Sequence, residues 1–399
     1  MRKGWTRLGG PLLALVSVLV TLLLGEAGLR LARWWRGPVS GGLVFYAEHD
    51  PVLGWRKRPG AEVLFRTPEY RVTLRINHLG LRDPERGYAA PGGTLRILGL
   101  GDSFVEGYGV PLEQTVTQVL ERSLDAQGCR VEVVNGATTG YSTDQEYLFY
   151  DREGTRYSPQ VVLVFFYYND VRYNVYAAYR RPRLPKPVFA ERDGRLILQN
   201  VPVPPLPPVE PMGVDAPGAG ASLLYEALEQ RLRTGAPQAY GRLARWGLFA
   251  PVTPQEPPDE LKVYKRKRVP ALENAWTRTA QILEALARDV EAHGARPLLV
   301  YVPSRMEIDE RAWSLTRAAY GLEEGQWDRG RVVQRLREIG RAVRLPILDL
   351  TPDLRQANRG WLGGPYYPRD GHWNACGHRV AARRVASFLL GSGWLACGP

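Results

Sequence analysis

The chain has 399 residues, 44% of them hydrophobic, with 11 Trp and 20 Tyr, which suits one large domain with insertions or two domains and excludes disorder throughout. Its net charge of +12 comes mostly from scattered arginine. Without a zinc knuckle, an RNA-binding strand signature or a lysine-rich tract, no nucleic-acid partner is expected, and a solvated, membrane-proximal basic surface is the simpler reading. The cysteines Cys129, Cys376 and Cys397 show no Cys-x-x-Cys spacing, so neither a structural zinc site nor a redox motif is expected. Cys376 and Cys397 could pair in an oxidising space, or two thiols could stay buried and inert.

At the amino terminus, Arg2, Lys3 and Arg7 precede an apolar stretch over about 8–24. Its length is near the lower limit of roughly 17–25 residues for a membrane-spanning helix. The favoured expectation is an uncleaved transmembrane anchor with the remainder on the extracytoplasmic side; a cleaved signal peptide is the alternative. Residues 34–93 read as a connecting region, with apolar alternation at 70–77 predicting a strand and a turn following at 78–84.

From residue 94 strand and helix patterns alternate. Strands are predicted at 95–100, 131–135, 161–167, 297–302 and 346–350. Helical spacing of apolar residues runs from Leu112 to Leu124, and Thr143 with Glu146 predicts a capping box for a helix to about 150. This pattern predicts an α/β fold, a parallel sheet with helices on both faces. A proline-rich stretch interrupts it between 173 and about 270, with one helix pattern over 222–246; it is either a surface insertion or a lid. Further helices are expected over 272–293 and 377–390.

The apolar run 97–100 leads straight into Gly101-Asp102-Ser103. That sets one hydroxyl at the carboxyl end of a parallel strand, where open α/β sheets hold their sites. A serine needs a base, an orienting acid and oxyanion donors to act as a nucleophile. Of the five histidines, His293 ends a helix, while turn or surface roles suffice for His49 and His78. His372 lies in the loop after the last strand, at the same sheet edge as Ser103, and Asp370 could hold its other ring nitrogen. His378, six residues on, is expected to pack or cap. Asp102 and Asp170 read as loop and cap residues, and Asn77, Gly80 and Arg82 are weaker candidates to approach the cleft. No metal cluster or phosphate loop is visible, so neither metal nor cofactor is expected.

With these blocks in order, the chain resembles the SGNH, or GDSL, hydrolase superfamily. Gly101-Asp102-Ser103 matches its first block, Asn135-Gly136-Ala137-Thr138-Thr139-Gly140 its glycine block, Tyr168-Asn169-Asp170 its asparagine block and Asp370-Gly371-His372 its last. The family commonly ends in Asp-x-x-His, and the shorter spacing here resembles the branch of alginate O-acetyltransferase-like proteins. Tyr168 stands where many members have glycine. The resemblance, over about 94–173 and 295–390, implies a three-layer α/β/α, flavodoxin-like fold with a five-stranded parallel sheet at 94–390, interrupted by the insertion at about 174–270; the expected anchor takes 1–33 and a tail 391–399. It further implies Ser103, His372 and Asp370 as catalytic residues, and Ser103, Gly140 and Asn169 as oxyanion donors. Three functions then compete: an esterase removing an acyl group, foremost acetyl, from an extracytoplasmic glycan or lipid; an O-acyltransferase acting on a polysaccharide hydroxyl; and a non-catalytic glycan-binding or assembly protein.

Overall fold

The computed structural model describes residues 6–36, 42–179, 184–205, 222–249, 255–359, 363–395 and 397. It divides into two compact units, residues 1–40 with 209–254 and residues 41–208 with 255–399.

The larger unit is built on five strands: β1 Leu95–Leu100, β2 Val131–Asn135, β3 Val161–Tyr167, β4 Arg296–Val302 and β5 Ile347–Asp349. They pair in the order β5-β4-β3-β1-β2, every neighbouring pair parallel. The central strand β3 has the sequence VVLVFFY and is buried along all but its last residue. An uninterrupted apolar run of this kind marks a strand covered on both faces.

Side chains alternate to feed two cores. On one face Ile97, Val133, Leu163, Phe165, Leu298 and Val300 meet Leu120 and Leu124 from helix α1, Val116–Asp125, and Val385 and Leu389 from the closing helix Ala375–Gly391. On the other, Leu98, Val134, Val162, Val164 and Leu299 meet Leu283 and Leu286 of helix Pro270–Ala292 and Leu336 of helix Arg331–Val343. Each fully buried Val or Leu stabilises the fold by about 1.5–3 kcal/mol relative to exposure. The result is the expected α/β/α architecture with a five-stranded parallel sheet.

The chain steps from β1 to β2 on one side, then crosses back to β3 on the other side of β1. The crevice at their carboxyl ends is therefore where such a sheet binds. Ahead of β1 lie two antiparallel hairpins, Ala47–Asp50 with Gly54–Lys57 and Glu62–Arg66 with Arg71–Arg75, the second carrying its own apolar cluster of Phe65, Tyr70, Val72 and Leu74.

Several expectations are corrected. Among the described residues no helix is long and apolar enough to cross a membrane, so the transmembrane helix expected over 8–24 is not found. The side chains of 8–12 and of residue 15 lie outside the described ones. The helix itself runs Thr6–Arg36, but its second half carries Glu26 and Arg30, ion-paired at 2.7 Å. Glu26 also accepts from Ser222 Oγ and the Leu223 and Leu224 N–H groups, capping the helix Leu223–Gly235. The single helix expected over 222–246 is two, Leu223–Gly235 and Pro237–Arg245, because Pro237 cannot continue the first. The proline-rich stretch holds a hairpin, Val188–Arg192 with Arg195–Gln199, turned by Asp193-Gly194, both at positive φ. The Thr143–Glu146 capping box does not form: Ser142 is the cap residue, and Glu146 is buried with neither carboxylate oxygen hydrogen-bonded.

Cys376 is free and Cys397 pairs instead with Cys129, just before β2, across 268 residues. Cys397→Ser is expected to lower stability by about 2–4 kcal/mol. Dithiothreitol should lower the parent by the same amount and leave the variant unchanged, as read by urea denaturation followed by tryptophan fluorescence.

Candidate active site

Ser103 opens a short helix, Ser103–Glu106, directly behind β1. Asp102 caps that helix, its Oδ1 accepting the Phe104 N–H at 2.9 Å. Ser103 is 8% exposed. As the first helical residue it keeps an N–H with no intrahelical acceptor.

Ser103 Oγ lies 2.7 Å from His372 Nε2, and His372 Nδ1 lies 2.5 Å from Asp370 Oδ1. An ionised carboxylate only accepts, so Nδ1 carries the ring proton and Nε2 presents its lone pair to the serine hydroxyl. The imidazole is wedged between Phe104 and Tyr108, each with its ring centre 5.0 Å away. Gly371, at φ +85°, makes the tight turn that lets one carboxylate hold both the ring and the His372 backbone N–H, the latter at 3.2 Å. The short Asp-x-His spacing is therefore geometrically sufficient. Burial pushes the Asp370 carboxyl up, but the hydrogen bonds and charge of His372, with the Tyr70 hydroxyl at 3.0 Å, outweigh it and hold the group below its ordinary value.

The loop behind β2 brings Gly140 to the same sheet edge. Its φ of +82° is the left-handed region, and an added Cβ would stand 2.9 Å from the Tyr179 ring and 3.3 Å from Trp55. Buried charges fix this loop. Glu106 accepts the Thr139 N–H at 2.5 Å and the Tyr46 hydroxyl at 2.7 Å. Lys57, which burial pushes down to about 8, donates to Ala137 O and, at 3.0 Å, to Thr138 Oγ1.

Asn169 follows β3 and is 7% exposed. It precedes a helical turn, Asp170–Tyr173, yet makes no capping hydrogen bond, and its buried Oδ1 has no partner. The amide oxygen is thus not committed to holding local structure. Tyr168 packs between Tyr167 and Tyr264, its ring tilted against both with centres at 4.6 and 5.3 Å.

The remaining candidates lie elsewhere. Asp170 accepts the Tyr167 N–H and the Thr143 hydroxyl, both at 3.3 Å, from a fully buried position. Asn77 ties its own turn through the Leu79 and Leu81 N–H groups. Arg82 is buried and donates to the Glu106, Gly107 and Val110 carbonyls, bracing the backbone beyond the Ser103 helix. His378 accepts the Val116 N–H at 3.1 Å; burial, with Arg82 and His372 nearby, drives its pKa down to about 3. His49, His78 and His293 bond Val203 O, Glu85 and Asp289 O respectively. Tyr70, Phe104 and Tyr108 touch the Asp370–His372 pair and were not anticipated; aromatic residues in turns give no signal of their own in a sequence. Among the described residues no cluster of His, Cys, Asp and Glu could hold a metal ion.

Burial pushes the Asp102 carboxyl up to about 6 from 3.8, with the Phe104 N–H and His372 working against it. A raised carboxyl favours the protonated fold, so this contribution is complete below about pH 3.8 and is lost as the pH rises through about 6. Asp102→Asn keeps the cap acceptor and removes the charge. It should be more stable than the parent by about 2–3 kcal/mol at pH 8, with the gain gone by pH 4, in urea titrations at both values.

Two family descriptions match the chain: "GDSL-like Lipase/Acylhydrolase" over residues 97–245, and "SGNH hydrolase-like domain, acetyltransferase AlgX" over residues 262–396. The first contains Ser103, Gly140 and Asn169, and the second Asp370 and His372. No curated protein matches. Among solved structures, the lipase/acylhydrolase from Enterococcus faecalis is 14% identical, with 76% of this chain and 99% of that one aligned and a TM-score of 0.38. A catalytic mutant of Axe2, an acetylxylan esterase from Geobacillus stearothermophilus, is 11% identical over 78% and 99%, also at 0.38. The psychrotrophic esterase EstA from Pseudoalteromonas sp. is 12% identical over 74% and 97%, at 0.33. With both descriptions drawn from it, one over residues 97–245 and the other over 262–396, the chain belongs to the SGNH/GDSL hydrolase superfamily, on a branch similar to AlgX.

Proposed function

We propose that the protein is a serine esterase that removes an acyl group, foremost acetyl, from a glycan or lipid outside the cytoplasm. The observation that carries this is the unbroken hydrogen-bonded line from Ser103 Oγ through the His372 ring to Asp370. Ser103 Oγ attacks the ester carbonyl as its proton passes to His372 Nε2. Asp370 stabilises the imidazolium that forms. The negative oxygen of the tetrahedral intermediate is met by the Ser103 and Gly140 N–H groups and the Asn169 amide. The imidazolium then returns the proton to the departing alkoxide, leaving an acyl-serine. Water, deprotonated by His372, releases the acid and restores the hydroxyl.

The rings of Tyr179 and Trp55 pressed on Gly140 favour a small acyl group. The Cys129–Cys397 disulfide supports an oxidising location.

A second reading is acyl transfer to a sugar hydroxyl. The match of residues 262–396 to the acetyltransferase AlgX description favours it. The same acyl-serine serves both, and the outcome turns on whether water or a bound acceptor reaches it. A binding protein without catalysis would be marked by a missing nucleophile or base.

In assays of the full-length protein with p-nitrophenyl acetate, Ser103→Ala should reduce kcat by at least about 10⁴-fold. Asn169→Ala should reduce it by about 10²–10³-fold. A Ser103→Ala protein that keeps the parental rate would remove the proposal. Acetyl found by mass spectrometry on an added polysaccharide acceptor would select transfer over hydrolysis.

A further inference from the structure

The acid that holds the imidazole is itself held from outside the strand–helix alternation. The hairpin Glu62–Arg66 with Arg71–Arg75 turns through Thr67-Pro68-Glu69-Tyr70. Thr67 Oγ1 accepts the N–H groups of Glu69 and Tyr70, each at 3.1 Å, and the Thr67 N–H donates to Tyr70 O at 2.9 Å. Pro68 adds its fixed φ. The turn is thus a closed unit, and two of its side chains reach the loop that carries Asp370.

The Glu69 carboxylate accepts the Arg369 N–H at 3.0 Å on one oxygen and the Asp370 N–H at 2.7 Å on the other. The Tyr70 hydroxyl donates to Asp370 Oδ2 at 3.0 Å. Its ring packs 4.9 Å from Tyr367 and 6.2 Å from Tyr108, and Phe65 of the same hairpin stands edge-on to Tyr108 at 4.9 Å. From the opposite side, Arg305 donates to the Pro368 carbonyl. Neither Glu69 nor Tyr70 touches Ser103 or the reacting atoms.

We infer that Glu69 and Tyr70 are positioning residues that set the orientation and charge of Asp370, and through it the basicity of His372; this rests on the acyl-enzyme reading above. One carboxylate gripping two successive N–H groups fixes the backbone from which Asp370 springs. In charge the two act oppositely. Glu69 places a second negative charge behind Asp370 and favours the imidazolium. Tyr70 draws the Asp370 charge toward its own O–H and disfavours it. Burial and the Asp370 charge hold the Tyr70 phenol far above its ordinary value, so it stays a donor. Among the described residues, the other titratable groups facing His372 include Ser103 and Asp102 behind β1, Tyr108 beyond them, Asp370 and Tyr367 on its own loop and His378 on the closing helix. None of these is changed by the two substitutions below.

The test uses the full chain carrying Glu69→Gln or Tyr70→Phe, both close in shape to the parent. Histidine-labelled protein is titrated by NMR, with the His372 signal assigned by its loss in His372→Gln. The pH profile of kcat/KM on p-nitrophenyl acetate is recorded beside it. Glu69→Gln should move the His372 titration and the acid limb of kcat/KM down by about 0.5 pH unit, and Tyr70→Phe should move both up by about as much. In each variant kcat should fall about tenfold, with KM changed less than about twofold. Loosening of the loop alone would slow the reaction without opposite shifts. An active parent, a dead Ser103→Ala and no opposed shifts would overturn the inference. If Ser103→Ala keeps the parental rate, the esterase reading fails, and the NMR shifts alone then uphold or end the role of Glu69 and Tyr70. Should Glu69→Gln not fold by circular dichroism, the upward shift in Tyr70→Phe decides.

Discussion

The contact between the Ser103 hydroxyl and the His372 imidazole joins residues 269 positions apart, and nearly every other feature serves to keep that distance at 2.7 Å. A chain cannot hold two such groups together by local bonding. It needs two stiff supports that end at one place, and parallel strands with crossover helices provide them, because all their carboxyl ends face the same way. β1 delivers the serine and β5 precedes the histidine. The strands between them are apolar on both faces because helices cover both sides of the sheet.

Buried charge is the second constraint. Around the loop that ends in Gly140, Lys57, Glu106 and Arg82 are all removed from water. Removing one partner from such a set leaves an uncompensated charge and costs several kcal/mol. The groups are directed mainly at backbone carbonyls and N–H groups rather than at each other. They act as fixings for a loop without regular structure, the one that brings Gly140 to the sheet edge.

Much of this was readable beforehand. The five strands stand out because each is an apolar run too short for a helix and bounded by turn residues, and only the ends of β4 and β5 differ, by a residue. The order of those strands already set Ser103 and His372 at one edge. Other features left little trace. Cys129 is 268 residues from Cys397, and nothing local in either position announces the bond. Thr143 and Glu146 have the spacing of a cap, but tertiary packing buried Glu146 instead. The count of prolines hid the Asp193-Gly194 turn, although that dipeptide is a strong hairpin sign. Glu69 and Tyr70 sit in a turn where polar and aromatic residues have ordinary explanations, and their partner is 300 residues away. The apolar leader suggested a membrane span, but Glu26 has a different task, as a cap for a neighbouring helix.

The strand ahead of the histidine is one of the sheet's two edge strands and its shortest, three residues against seven in its neighbour. A border of that kind frays before the interior does. The loop that carries His372 thus follows a thinly reinforced margin of an otherwise deeply set scaffold, so gentle perturbation would part the Ser103–His372 contact while four strands still stand.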